Sequence, residues 1–173
     1  MSSRSLLAEV LKDEHRAIRD LVVNLAQAFR NRDLPSAHFF VNNIAELAGP
    51  HFRYEEEALY PALLNTLTEE QVLGLLSEHD HAIAVIRQFA ELLHKNELTN
   101  QEAEDGATCA QSLLTDLTEC DGLSLMIERL PDQSIRETLN AWHHARAADL
   151  DLLQWADTVR PPRQWQVGVP VAR

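Results

Sequence analysis

The chain has 173 residues, 45% hydrophobic and 24% charged, with a net charge of 15 − 27 = −12. That length suits one domain with a substantial core. The acidic balance argues against a nucleic-acid backbone or an anionic membrane surface as main partner. Two cysteines make no disulfide framework, and the N-terminal run MSSRSLLAEVLKDEH turns charged before a signal-peptide core could form. No apolar run approaches the roughly 20 residues of a membrane span, so the expected location is the cytoplasm.

With 5 Gly, 7 Pro and abundant Leu and Ala, the composition favours helix. The first predicted helix runs from about Ser5 to Phe29, with core seats Leu11, His15, Ile18, Val22, Leu25 and Phe29. The second begins at Pro35, and its stripe is Phe40, Ile44, Leu47, His51, Glu55, Ala58 and Ala62. Gly49-Pro50 predicts a kink or a restart just before His51. The third opens with a capping box, Thr68 to Gln71, and carries Val72, Leu76, His79, Ile83, Ile86, Ala90 and Leu93. The fourth opens with Thr99 to Glu102, and its inner face is Ala110, Leu113, Asp116 or Leu117, and Cys120. Beyond Pro131 a fifth helix is predicted from Asp132 to Val159, through Ile135, Leu139, Trp142, Ala145, Ala148, Leu152 and Ala156. The tail, 160–173, holds Pro161, Pro162 and Pro170 and reads as extended or disordered.

These elements predict an all-α protein. Residues 1–130 form an up-down-up-down four-helix bundle, and an additional C-terminal helix over 131–159 packs on it. A weak internal repeat runs through the bundle. His51 follows His15 by 51 − 15 = 36 residues, and Asp116 follows His79 by 116 − 79 = 37. Two helical hairpins so related would set His15, His51, His79 and Asp116 at similar depths.

His51 and Glu55, four residues apart, share a helix face. An imidazole beside a carboxylate suits iron, zinc or manganese. Three helices each place a histidine where the stripe calls for an apolar residue. A polar group left unpartnered in a dry core costs roughly 2–7 kcal/mol, and a shared cation accounts for all of them together. His81 lies about 200° around the helix from His79 and faces outward. His38 and His94 fall off the stripes, His143 is a boundary residue and His144 points away. Cys120 reads as a small core residue or, beside a metal, as a thiolate ligand or oxidisable group. Tyr54 and Tyr60 read as packing residues that can also donate hydrogen bonds. Glu56 reads as a possible partner of a ligand, and Glu57 as solvated.

Glu14-His15-Arg16, the run HFRYEEEALYP from His51 to Pro61, and Glu78-His79 resemble the hemerythrin-like, or HHE cation-binding, domain over about residues 5 to 130. The resemblance implies a four-helix bundle around non-haem iron, in proteins that bind dioxygen or respond to oxygen, iron, nitric oxide or peroxide. It makes His15, His51 and His79 iron ligands and Glu55 a carboxylate able to bridge two irons. The fourth helix departs from the family pattern. Asp116-Leu-Thr-Glu-Cys120-Asp121 stands where a second His-x-x-x-Glu is expected. Three outcomes are open: a two-metal site completed by Asp116 with Cys120 or Asp121, a single metal on the three histidines and Glu55, or a bundle without metal.

The expected function is thus a non-haem iron protein, with one or two irons, that binds or senses oxygen, nitric oxide, peroxide or iron itself. Its partners would be the metal ion and a diatomic gas or peroxide, with a homodimer left open. The alternative is a metal-free helical interaction module, with Trp142, Trp155 and the tail as its surface. No Ser-His-Asp arrangement, phosphate loop or dinucleotide fingerprint can be picked out, and no catalytic residue is assigned.

Overall fold

Ser2 opens the first helix by accepting the backbone N–H of Ser5, and α1 then runs unbroken over Ser3–Arg30. Asp33 caps α2, Leu34–Tyr54, through Ser36. A five-residue π turn, Glu55–Leu59, and a short α3, Tyr60–Leu63, continue the same rod. Thr68 and Gln71 close the capping box of α4, Glu69–Leu92. Thr99 and Glu102 exchange the same pair of bonds at the head of α5, Asn100–Cys120. Then come α6, Leu123–Met126, a 3₁₀ turn, Ile127–Arg129, α7, Asp132–Ala148, and α8, Leu152–Thr158. The computed structural model describes residues 2–120 and 122–161, without the side chains of residues 116 and 118–120. The expectation for the tail falls on 162–173, outside the described residues.

Helices α1, α2, α4 and α5 form an all-α, up-down-up-down bundle in which each packs on the next and α5 returns to α1. The α1 stripe is buried at every predicted seat. In α2 there is no restart before His51, and the helix carries Pro50 through to Tyr54. The irregularity comes later. Tyr60 N–H bonds back to Glu55 C=O, five residues away, just before Pro61, which has no N–H to give. The extra residue shifts the buried stripe by one, so Leu59 and Leu63 enter the core while Ala58 and Ala62 are half-buried.

The predicted fifth helix is two helices. Asp149 adopts φ 51°, in the left-handed region, and ends α7. Asp151 then caps α8 in a capping box with Gln154. The apolar periodicity runs straight across this break and hides it. The segment docks close against α2, because a Cβ on Gly49 would sit 2.6 Å from Asp151 C and 2.7 Å from Leu152 N. Gly49 therefore makes room for a backbone and does not break its own helix. Leu152 and Trp155 are buried in the bundle core beside it, and each fully buried side chain of this kind stabilises by about 1.5–3 kcal/mol. Among the described residues no helix is long and apolar enough to cross a membrane.

Candidate metal centre

Two apolar clusters fill the interior. One contains Ile18, Val22, Ile44, Ala48, Ile83, Ile86, Leu113 and Leu117, and the other Leu7, Leu11, Tyr54, Leu59, Val72, Leu75, Leu123 and Ile127. His15, His51, Glu55 and His79 lie in chain order between members of the two, all four buried. The core is thus apolar above and below one polar layer, to which α1, α2 with its π turn, and α4 each contribute.

One ligand atom each of His15, His51 and Glu55 lies within 4.8 Å of the others. Glu55 Oε1 stands 3.5 Å from His51 Nε2 and 3.7 Å from His15 Nε2, too far for good hydrogen bonds. It makes no hydrogen bond among the described residues, although Glu55 is fully buried. Such a carboxylate oxygen costs several kcal/mol, of order 2–7 for a polar group, unless a proton donor or a cation meets it. Two imidazoles and a carboxylate oxygen converging in this way fit a borderline divalent cation.

His79 is arranged differently. Its Nε2 is 3.1 Å from Glu55 Oε2 and 3.0 Å from the Tyr60 hydroxyl, which itself donates to Glu55 Oε2 at 3.1 Å. Tyr60 reaches this place because of the π turn. On a regular α-helix residues five apart point about 140° from one another. The His79 ring also stacks on Phe52, with centroids 3.7 Å apart.

Two of the three buried imidazoles, those of His51 and His79, are backed by a carboxylate. His51 Nδ1 donates to Glu14 Oε2 at 2.8 Å, and His79 Nδ1 to Glu56 Oε1 at 2.9 Å. Carboxylates only accept, so each Nδ1 carries a proton. Burial works to lower the His51 pKa, but the charge of Glu55 and the bond to Glu14 outweigh it and raise it above the ordinary 6.5. His79 is raised against the same burial by its bonds to Glu55 and Glu56. Burial would push the Glu55 carboxyl up, but His51, His15 and His79 hold it well below its ordinary 4.5. Glu14 is likewise lowered against burial, by His51 first and then by Trp142 and Arg146.

A cavity of about 40 Å³ adjoins these groups. Its other walls include Ile18, Val22, Ile44, Ala48, Ile86 and Leu113. It exceeds the ~10–15 Å³ that admits one water, so a molecule of very few atoms fits.

The structure brings together four of the residues singled out in the sequence: His15, His51, Glu55 and His79. The side chains of Asp116 and Cys120, and the whole of Asp121, lie outside the described residues. His81 is exposed, as its helical position predicts. His143, expected at a boundary, is exposed as well. Glu14 was visible only as a neighbour of His15, and its role emerges because α1 and α2 pack side by side. The expectation of Trp155 as part of a surface is corrected, since Trp155 is 1% exposed. Trp142 is half-buried, and its Nε1 donates to Glu14 Oε1 at 2.9 Å.

Comparison with known proteins gave no match among curated proteins and none among solved structures. The family model of the hemerythrin HHE cation binding domain matches residues 6–129, the span that holds all four buried donors. With that match over most of its length, the chain belongs to the hemerythrin HHE cation-binding family.

Proposed function

We propose that the protein is a non-haem iron protein that binds or senses oxygen, nitric oxide or peroxide, or iron itself, with His15, His51, Glu55 and His79 as its ligands. The observation that carries this reading is the fully buried Glu55, whose Oε1 faces two imidazoles and makes no hydrogen bond among the described residues. Nitrogen and carboxylate donors suit iron among the first-row metals, and the family resemblance favours it. When bound, iron supplies a redox-active Lewis acid beside the cavity. The chain does the rest. Glu14 holds the proton of His51 on Nδ1 and so turns Nε2 inward. The apolar wall of the small cavity favours small molecules of low polarity. Asp116, with Cys120 or Asp121, is proposed to complete a second metal position, which would raise the count from one iron to two.

The test is to load the protein anaerobically with ferrous iron and then admit oxygen, nitric oxide or peroxide while recording the visible spectrum. A saturable change with one of them is expected. An iron-loaded protein that responds to none would overturn the reading as a gas or peroxide sensor and leave iron itself as the ligand. One observation favours a metal-free module instead: Tyr60, Glu55 Oε2 and His79 already satisfy one another. Failure to retain ferrous iron, zinc or manganese would favour that alternative.

A further inference from the structure

Both carboxylates behind the histidines are gripped from the C-terminal segment, Glu14 from α7 and Glu56 from Arg160 just beyond α8. Glu14 Oε1 accepts Trp142 Nε1–H at 2.9 Å and Arg146 Nη1 at 3.2 Å. Arg160 lays its guanidinium along Glu56, with Nη2 to Oε1 at 2.7 Å and Nε to Oε2 at 2.9 Å. Its remaining Nη1 pairs with Asp80 at 2.7 Å, and the group lies over the Trp155 ring at 5.4 Å. Trp142, Arg146 and Arg160 all follow residue 129, where the family match ends.

We infer that the C-terminal segment beyond the family domain supplies positioning residues for the metal centre: Trp142 and Arg146 on α7 fix Glu14, Arg160 just after α8 fixes Glu56, and the two carboxylates fix the inward nitrogens of His51 and His79. The inference rests on the reading of those histidines as ligands. A glutamate with several rotatable bonds orients an imidazole only if its own head is held. The Arg160 fork binds both Glu56 oxygens at once, which fixes the plane of the carboxylate as a point charge would not. Trp142 and Arg146 share Glu14 Oε1 and leave Oε2 for His51. Because an ion on His79 favours the orientation that Arg160 maintains, metal binding and the docking of α8 strengthen each other by the same factor.

The test uses the full chain and cobalt(II), whose visible bands report the donor arrangement. The variants are Arg160→Ala, Arg160→Lys and, as control, Arg87→Ala. Arg87 pairs with Asp157 on α8, so its removal cuts one tie to that helix and leaves the Arg160–Glu56 pair in place. Arg160→Ala is expected to weaken cobalt binding about 10-fold and to shift the bands, as loss of a ligand's hydrogen-bonded support does. Arg160→Lys should recover only part of both. Cobalt should slow amide exchange along α8 in the unaltered chain and not in Arg160→Ala. Binding and spectrum equal to those of the unaltered chain in Arg160→Ala would overturn the inference and leave the metal reading standing. Equal losses in Arg87→Ala and Arg160→Ala would overturn it too, since docking alone would then explain them. An unaltered chain that binds no cobalt would remove the metal reading itself, which is a different failure.

Discussion

His51 is backed by Glu14, which is held by Trp142 and by an Arg146 side chain 50% exposed; His79 is backed by Glu56, which is held by an Arg160 side chain 10% exposed. An exposed pair is screened and contributes about 0–1 kcal/mol, whereas a buried bidentate pair is strongly coupled to its partner. The two histidines also differ on their inner side. His79 Nε2 is met by Glu55 and Tyr60, while His51 Nε2 has only a 3.5 Å approach to Glu55 Oε1. One half of the centre is held rigidly and already hydrogen-bonded. In the other half two imidazole nitrogens converge on Glu55 Oε1, which makes no hydrogen bond among the described residues. The ion should therefore depend first on His15, His51 and Glu55, and His79 should join by giving up bonds it already has.

The largest effect follows directly. His51→Ala should reduce metal affinity by 100-fold or more, and His79→Ala by about 10-fold, on the scale set by the loss of supporting groups. Isothermal titration with zinc compares them, and equal losses would break the distinction between the halves.

Gly49→Ala comes next and bears on how the C-terminal segment meets the bundle. The new Cβ would press on the backbone at Asp151 and Leu152, so a loss of about 1–3 kcal/mol is expected by denaturant unfolding. An unchanged stability would mean that α8 does not sit as close as described.

These two positions also mark what was legible in the sequence. The α1 stripe, both capping boxes and the three core-seat histidines could be read directly, because burial repeats with the helical period. The π turn could not, since one added residue changes register without changing composition, and Leu59 and Leu63 replaced Ala58 and Ala62 in the core. Gly49-Pro50 read as a local breaker, whereas the reason for Gly49 lies about a hundred residues away in the chain, at 150–152. The α7–α8 break carries a local signal, the Asp151 to Gln154 capping box, beneath the continuous apolar stripe. Glu14, Trp142, Arg146 and Arg160 gain their roles only from packing between distant helices, to which periodicity is blind.

pH gives a smaller effect of opposite sign with and without metal. In the metal-free protein the raised His51 and His79 contribute stability fully below 6.5 and lose it as pH rises through their folded values. Glu55 and Glu14 are lowered, so their contribution is present above 4.5 and is lost as pH falls through their folded values. The metal-free pairings therefore help most between 4.5 and 6.5. An ion needs neutral imidazoles, so the rise in melting temperature on adding zinc should grow from about pH 6 to about pH 8. A zinc-induced shift that grew toward acid pH would contradict the assignment of the histidines.

The smallest effect is expected at His81, two residues from His79 but exposed. His81→Ala should leave zinc affinity within about 2-fold, since surface changes away from a site are usually worth no more than ±0.5 kcal/mol. A loss comparable to that of His79→Ala would mean that α4 is rotated from the orientation described.

The most direct measurement is the metal content of the full chain after anaerobic incubation with ferrous iron and removal of the excess, beside Glu55→Ala treated in the same way. The account predicts at least one iron per chain in the unaltered protein and its loss in the variant, because Glu55 Oε1 is the buried acceptor on which the site converges. Iron absent from both, or retained equally by both, would contradict it.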